Sequence, residues 1–302
     1  MVKFLLTIIL SASLINVYAQ NAINSFSKAV GLLSYTNKLD GNIDFGTGTL
    51  IRKDSAINYG HVYLITNKHV LPTFNKSNSI NFKIKQNIKD VDTFEIINIP
   101  IFDNRGNYYP YIKFDSAGED VCAIQFDNFY TTHNLHYLDT FLIPYQFLLD
   151  KKSIRENRIQ MGNQVYFIGY PSYFFNSKNI SPIVRSGFVS TDPTEDYYYS
   201  KEFLNAIKGK FGETLQKKLN GFLIDGSVYG GSSGSLIFFI LKAITENEGA
   251  LIFRSGQDIP YVLGIICQSF FDLGAPSNSI QRVNLATAIS SEVIRSTIDL
   301  FR

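Results

Sequence analysis

The sequence has no tryptophan, two cysteines and nine prolines among 302 residues. Two cysteines exclude a disulfide-stapled scaffold and a multi-cysteine zinc or iron–sulfur centre. Charged residues make up only 18% against 45% hydrophobic ones, which excludes a disordered chain. An excess of one charge sign is also missing, since 28 Lys+Arg against 26 Asp+Glu leave a net +2. No broad electrostatic footprint for nucleic acid follows, and no nucleic-acid partner is expected. No apolar run reaches the ~18 residues that span a bilayer, so stable membrane insertion is not expected either. What the chain does have is ring bulk, 25 Phe and 18 Tyr. An ordinary apolar core rich in aromatics must hold the fold.

Met1-Val2-Lys3 followed by Phe4–Leu10 reads as a basic n-region and an apolar h-region. Val17-Tyr18-Ala19 then offers a cleavage site, so residues 1–19 are expected to be a signal peptide cut after Ala19. The mature protein is expected to be exported, either periplasmic or secreted. Oxidation there permits a Cys122–Cys267 disulfide, and two buried free thiols remain equally open.

Short runs rich in Val, Ile, Phe and Tyr recur along the chain, broken by Gly, Asn, Asp and Pro. They include Ala29–Ser34, Gly46–Arg52, His61–Thr66, Ile80–Ile84, Phe94–Ile99, Val121–Phe126, Gln164–Gly169, Val184–Ser190, Ser235–Leu241 and Val262–Gln268. Strand spacing of this kind predicts an all-β fold, a sandwich or a pair of barrels. Helical spacing shows in two places, Lys201–Leu219 and the tail Thr287–Phe301. The polar stretch Asp150–Asn157 reads as a hinge, dividing the mature chain into residues 20–149 and 150–302.

Three segments carry chemistry. Leu64-Ile65-Thr66-Asn67-Lys68-His69-Val70 ends a strand and delivers a histidine beyond its edge. Gly118-Glu119-Asp120-Val121-Cys122 starts an apolar strand with a carboxylate. Gly230-Gly231-Ser232-Ser233-Gly234-Ser235 presents serines on a glycine-rich turn before another apolar strand. Acyl hydrolysis needs a hydroxyl, a base to activate it, a carboxylate to orient the base, and N–H donors for the oxyanion. These segments predict Ser233 as nucleophile, His69 as base and Asp120 as its orienting carboxylate. The backbone N–H groups of Gly231 and Ser233 are the expected oxyanion hole.

The order of these residues removes competitors. Gly230-Gly231-Ser232-Ser233-Gly234 also fits the G-x-S-x-G elbow of α/β-hydrolases, but that fold needs its His after the Ser. The histidines are His61, His69, His133 and His136, all before position 137. His133 and His136 have no neighbouring Glu in the sequence and read as loop residues, not zinc ligands. No metal site is legible, and the mechanism requires no cofactor.

The His, Asp and Ser segments together resemble the corresponding blocks of the trypsin-like (chymotrypsin-fold) serine peptidases, with closest likeness to exported bacterial members. Gly46-Thr47-Gly48-Thr49-Leu50-Ile51, Ile168-Gly169-Tyr170-Pro171, Pro182–Gly187 and Val262–Ile266 are similar supporting blocks in the same order. The resemblance implies two antiparallel six-stranded Greek-key barrels with the active site between them. It also implies a closing C-terminal helix; the long segment Thr191–Gly221 departs from the family pattern and is expected to be an insertion, helical near residues 200–220. Cys267 falls where the family usually has a Ser that bonds the triad carboxylate. The resemblance puts Ser227 at the floor of the S1 pocket and Ser269 on its wall as substrate-binding residues. With a hydroxyl and no carboxylate there, an uncharged P1 residue is expected. The implied function is an exported serine endopeptidase acting on a protein or peptide substrate through an acyl-enzyme. The alternative is a catalytically silent domain of the same type that serves as a binding module.

Overall fold

The computed structural model describes residues 23–54, 60–88, 91–171, 174–211, 216–242, 244–247, 250–253, 258–271 and 282–301. The expected signal peptide, residues 1–19, lies outside the described residues, as does part of the expected helix near 200–220. Among the described residues no helix is long and apolar enough to cross a membrane.

The first half is an antiparallel sheet with one parallel addition. Its strands are β1 (Val30–Thr36), β2 (Ile43–Lys53), β3 (His61–Thr66), β4 (Ser79–Ile88), β5 (Val91–Pro100), β6 (Ile112–Phe114), β7 (Cys122–Gln125) and β8 (Ile143–Pro144). They run in the order β5-β4-β1-β2-β3-β7-β6, and β8 adds in parallel to β2. β-Branched and aromatic residues dominate these strands because their side chains pack well on a pleated, half-buried surface.

The second half contains β9 (Gln164–Gly169), β10 (Ile183–Val189), β11 (Tyr197–Tyr198), β12 (Lys218–Leu219) and β13 (Gly221–Asp225). After these come β14 (Leu236–Leu241), β15 (Ile244–Asn247), β16 (Ala250–Phe253), β17 (Ile259–Phe271) and β18 (Arg282–Ser290). Six of them close into a barrel, β10-β13-β18-β17-β14-β9. The period-2 alternation of strands divides its apolar residues between two cores. Phe222, Ile224, Ile237 and Leu263 fill the barrel interior. Leu223, Leu236, Phe238 and Val262 face outward and join the core of the first half. One continuous apolar layer therefore fixes the two halves against each other.

The expected all-β fold of two six-stranded barrels is corrected here. Among the described residues helices accompany the strands, making the fold mixed α/β, and only the second half closes into a barrel. The first half stays open because β6 has three residues, all spent on pairing β7, and no ladder joins it to β5. The segments between those edges are joined by the Phe102–Tyr108 bridge, by the Tyr109 amide donating to the Ile101 carbonyl at 3.1 Å and by the Asp103 amide donating to the Asn107 carbonyl at 2.9 Å. Aromatic contacts cover the gap, with Phe102–Tyr108 centroids 4.6 Å apart and Tyr108–Phe114 4.7 Å apart.

Helices differ from expectation as well. The stretch read as a hinge forms a helix, Lys151–Glu156, whose N-cap Asp150 accepts from the Ser153 amide at 2.7 Å. The tail helix starts at Ser291, not at 287, and ends at Ile298. Thr287–Ile289 pair with β13 and β17 instead, so sheet hydrogen bonding overrides the helical spacing. The Ser290 hydroxyl caps the helix that follows.

Candidate active site

β3 and β7 are antiparallel neighbours with Thr66 opposite Cys122. The residues just after β3 and just before β7 must therefore emerge at the same end of the sheet. Asn67 and a single 3-10 turn, Lys68–Val70, present His69 there, and Asp120 lies two residues before Cys122. The His69 Nδ1 is hydrogen-bonded to Asp120 Oδ2, and the His69 amide donates to Oδ1 at 2.9 Å. Buried Asn67 anchors the same segment, its Nδ2 donating to the Asp120 carbonyl at 2.7 Å. Half the His69 side chain remains exposed, leaving its other ring nitrogen available to a ligand.

Ser233 arrives from the barrel, three residues before β14. Its turn is pinned by the first half. Thr47, fully buried on β2, donates its amide to the Ser233 carbonyl at 2.8 Å and its hydroxyl to the Gly231 carbonyl at 2.9 Å. Thr47 Oγ1 also accepts from the Tyr170 amide at 3.1 Å, and the Thr66 hydroxyl donates to the Thr47 carbonyl at 2.8 Å. Gly234 has φ +90, and a Cβ there would come within 1.9 Å of the Thr47 carbonyl oxygen, so only glycine fits. Among the described residues, no hydrogen bond takes up the N–H of Gly231 or of Ser233. Two idle amides beside a hydroxyl are what a developing oxyanion requires.

The link between the halves runs through Cys267, which sits where the β17–β18 register shifts. Its Sγ donates to Asp120 Oδ2 at 3.2 Å, and its carbonyl accepts from the Ser233 hydroxyl at 3.2 Å. Ser233 thus rests on the Cys267 carbonyl, with no hydrogen bond to His69. Burial acts to raise the Asp120 carboxyl, but hydrogen bonds from His69, the charge of its ring and the Cys267 thiol hold it below the usual range. Burial, followed by the nearby Asp120 charge, pushes the Cys267 thiol well above its ordinary value, so it stays a protonated donor. Both thiols are free, and Cys122 is buried in β7.

His69, Asp120 and Cys267 have potential ligand atoms within 4.8 Å of one another, a spacing that could hold a metal ion. Those atoms already satisfy each other, with Asp120 accepting from both neighbours. Concave space flanks Asp120 on both sides. Tyr35, Lys68, Thr73 and Tyr108 line the side toward His69, and Glu119, Tyr199, Lys218 and Gln268 line the side toward Cys267.

Other predicted residues fall as follows. Ser227 is exposed on the turn after β13, with its carbonyl taken by Arg185. Ser269 stands on β17, paired opposite Ala286. His133 lies apart from the site, its Nδ1 2.8 Å from Glu95 Oε1, and His136 is exposed. Two contributors escaped the sequence reading, Thr47 and Arg185. Thr47 left a signal, a hydroxyl between two glycines in an apolar strand. Arg185 left only a charged residue in a strand, which normally means a solvent face.

No family model and no curated protein matches the chain. Solved structures do. A serine endoprotease from Yersinia pestis aligns at 16% identity over 93% of this chain and 65% of that one, with a TM-score of 0.45. This chain therefore spans just under two thirds of the Yersinia protein's length. The Rv3671c protease from M. tuberculosis, in its active form, aligns at 12% identity over 94% and 85%, with a TM-score of 0.40. A thermostable serine protease, AL20, from an extremophilic microorganism aligns at 11% identity over 91% and 98%, with a TM-score of 0.44. All three alignments have TM-scores below 0.5 and identities of 16% or less.

Proposed function

We propose that the chain is a serine endopeptidase in which Ser233, His69 and Asp120 form the catalytic triad. The observation that carries this reading is the unbroken run of hydrogen bonds His69–Asp120–Cys267–Ser233, assembled from four distant stretches of sequence. The Ser233 hydroxyl attacks the scissile carbonyl carbon and gives its proton to His69 Nε2. The oxyanion is received by the N–H groups of Gly231 and Ser233. His69 then passes the proton to the leaving amine, and the C–N bond breaks to leave an acyl-enzyme on Ser233. Water, deprotonated by His69, releases the acid and restores the serine. Asp120 keeps the imidazole in the right tautomer and stabilises its charged form. The protein acts on a protein or peptide substrate and, with the leader-like Met1–Ala19, is exported.

A second reading draws on one observation, the bond from the Ser233 hydroxyl to the Cys267 carbonyl and not to the imidazole. It makes the chain a silent binding module of the same architecture. Catalytic hydrogen bonds in unliganded sites are often long or misdirected, so the bond to the Cys267 carbonyl is compatible with a reacting Ser233. Hydrolysis of a casein or mixed-peptide substrate separates the two. The peptidase reading predicts turnover that falls about 10⁴-fold or more in Ser233→Ala and in His69→Ala. Equal turnover by wild type and both variants, or none by any, contradicts it.

A further inference from the structure

Exposure alternates along β10, and Arg185 occupies the inward-facing row with Gly187 and Val189. β10 pairs with β13 through only two residues, Phe188–Asp225 and Val189–Ile224. At Gly187 the strands touch, since a Cβ there would lie 2.2 Å from the Asp225 carbonyl oxygen. Beyond that point they part, and the Arg185 side chain spans the gap. Its Nη1 donates to the Ser227 carbonyl, and its Nη2 donates to Ser232 Oγ at 2.8 Å. The guanidinium lies 4.7 Å from the centroid of the Phe167 ring. Ser232 is the chain neighbour of Ser233, so a fixed cation sits one residue from the reacting hydroxyl. Among the described residues no carboxylate pairs with it, and its Nε–H is buried without a partner. Burial pushes the Arg185 pKa down to about 10, with Tyr229 opposing, so the group remains charged at neutral pH.

A half-buried cation without a counter-charge is costly, and a carboxylate is the ligand that relieves it best. We propose that Arg185 is the specificity-determining residue of this site and selects peptide substrates with Asp or Glu at P1. The proposal rests on the serine-peptidase reading. A peptide carbonyl seated on Ser233 and the amides of Gly231 and Ser233 brings the side chain before it against the turn 227–232. Arg185 holds both ends of that turn. An acidic side chain supplies the missing charge. The uncharged P1 expected from Ser227 is thereby replaced, because the charge enters from β10 and not from the turn. A purely structural clamp on Ser227 and Ser232 would not need the unpaired charge.

The test is kcat/KM on peptides that differ only at P1, with Glu, Asp, Leu, Phe and Arg. Wild type is expected to prefer Glu or Asp over Leu by about 10- to 100-fold, the span of a charge-assisted hydrogen bond. Arg185→Leu should abolish that preference, lowering kcat/KM on the Glu and Asp peptides at least about tenfold more than on the Leu peptide. Arg185→Lys, which keeps the charge, should retain part of it. Wild-type preference for Leu, Phe or Arg overturns the proposal even if the variants do not fold. So does a folded Arg185→Leu that loses Glu and Leu cleavage in equal measure, the signature of a clamp. Those results leave peptidase activity intact. Absence of hydrolysis of every peptide instead removes the peptidase reading and this proposal with it.

Discussion

Ten residue pairs join β4 to β5 in the open sheet, whereas two join β10 to β13 in the barrel, yet the barrel is the half that closes. Closure depends on every strand having a partner on each side, not on how strongly any pair is zipped. The sheet invests its pairing in one long hairpin and leaves β6 too short to meet β5. The barrel spreads its pairing around the ring, down to a seam of two residues. Both thin places border the site. Tyr108, at the open edge of the sheet, lines the cleft beside His69, and Arg185, at the thin seam of the barrel, reaches the Ser233 turn. Incomplete backbone pairing leaves room for side chains, and it is there that the candidate specificity and cleft residues lie.

The strongest way to break the comparison is to empty each core in turn. Phe82 in the sheet and Phe167 in the barrel are both fully buried. Truncation of either to alanine should cost about 3–5 kcal/mol, read from urea unfolding. Phe167→Ala should in addition weaken the acidic P1 preference, because it removes the ring beneath Arg185, whereas Phe82→Ala should not. A smaller effect is expected at the open edge. Tyr108→Ala removes its ring contacts to Phe102 and Phe114, for about 1 kcal/mol. Amide exchange should quicken along β5 and β6 and stay slow in the barrel. Quickening throughout the barrel would mean the two seams are not independent.

The smallest effect is one of pH. The folded Asp120 carboxyl titrates below its ordinary range. The native state therefore binds fewer protons than the unfolded chain near pH 4, and stability falls as acid protonates the group. Asp120→Asn should lack that part of the acid slope while remaining folded at pH 7. An unchanged slope would show that His69 and Cys267 do not hold the carboxylate in its charged form.

Much of this was legible in the sequence, for identifiable reasons. The ten apolar runs read as strands all lie in or overlap strands, since alternation and β-branching are local signals. The neighbours of His69 and Asp120 were legible too, because antiparallel strands of known ends bring their flanks together. Closure was not, for it turns on whether three residues, Ile112–Phe114, reach a strand that ends twelve positions earlier. Helical spacing misled over Thr287–Ile289 because a strand of the barrel was waiting to pair there. Arg185 was missed since its environment is made by Phe167, Ser227 and Ser232, none of them its neighbour in sequence.

The central claim is that Ser233 is the reacting hydroxyl, and covalent labelling tests it most directly. The protein, treated with a fluorophosphonate and mapped by peptide mass spectrometry, should carry one adduct on Ser233. Labelling should vanish in Ser233→Ala and persist in a folded Ser232→Ala. An adduct on Ser232, or none at all on folded wild-type protein, would contradict the account.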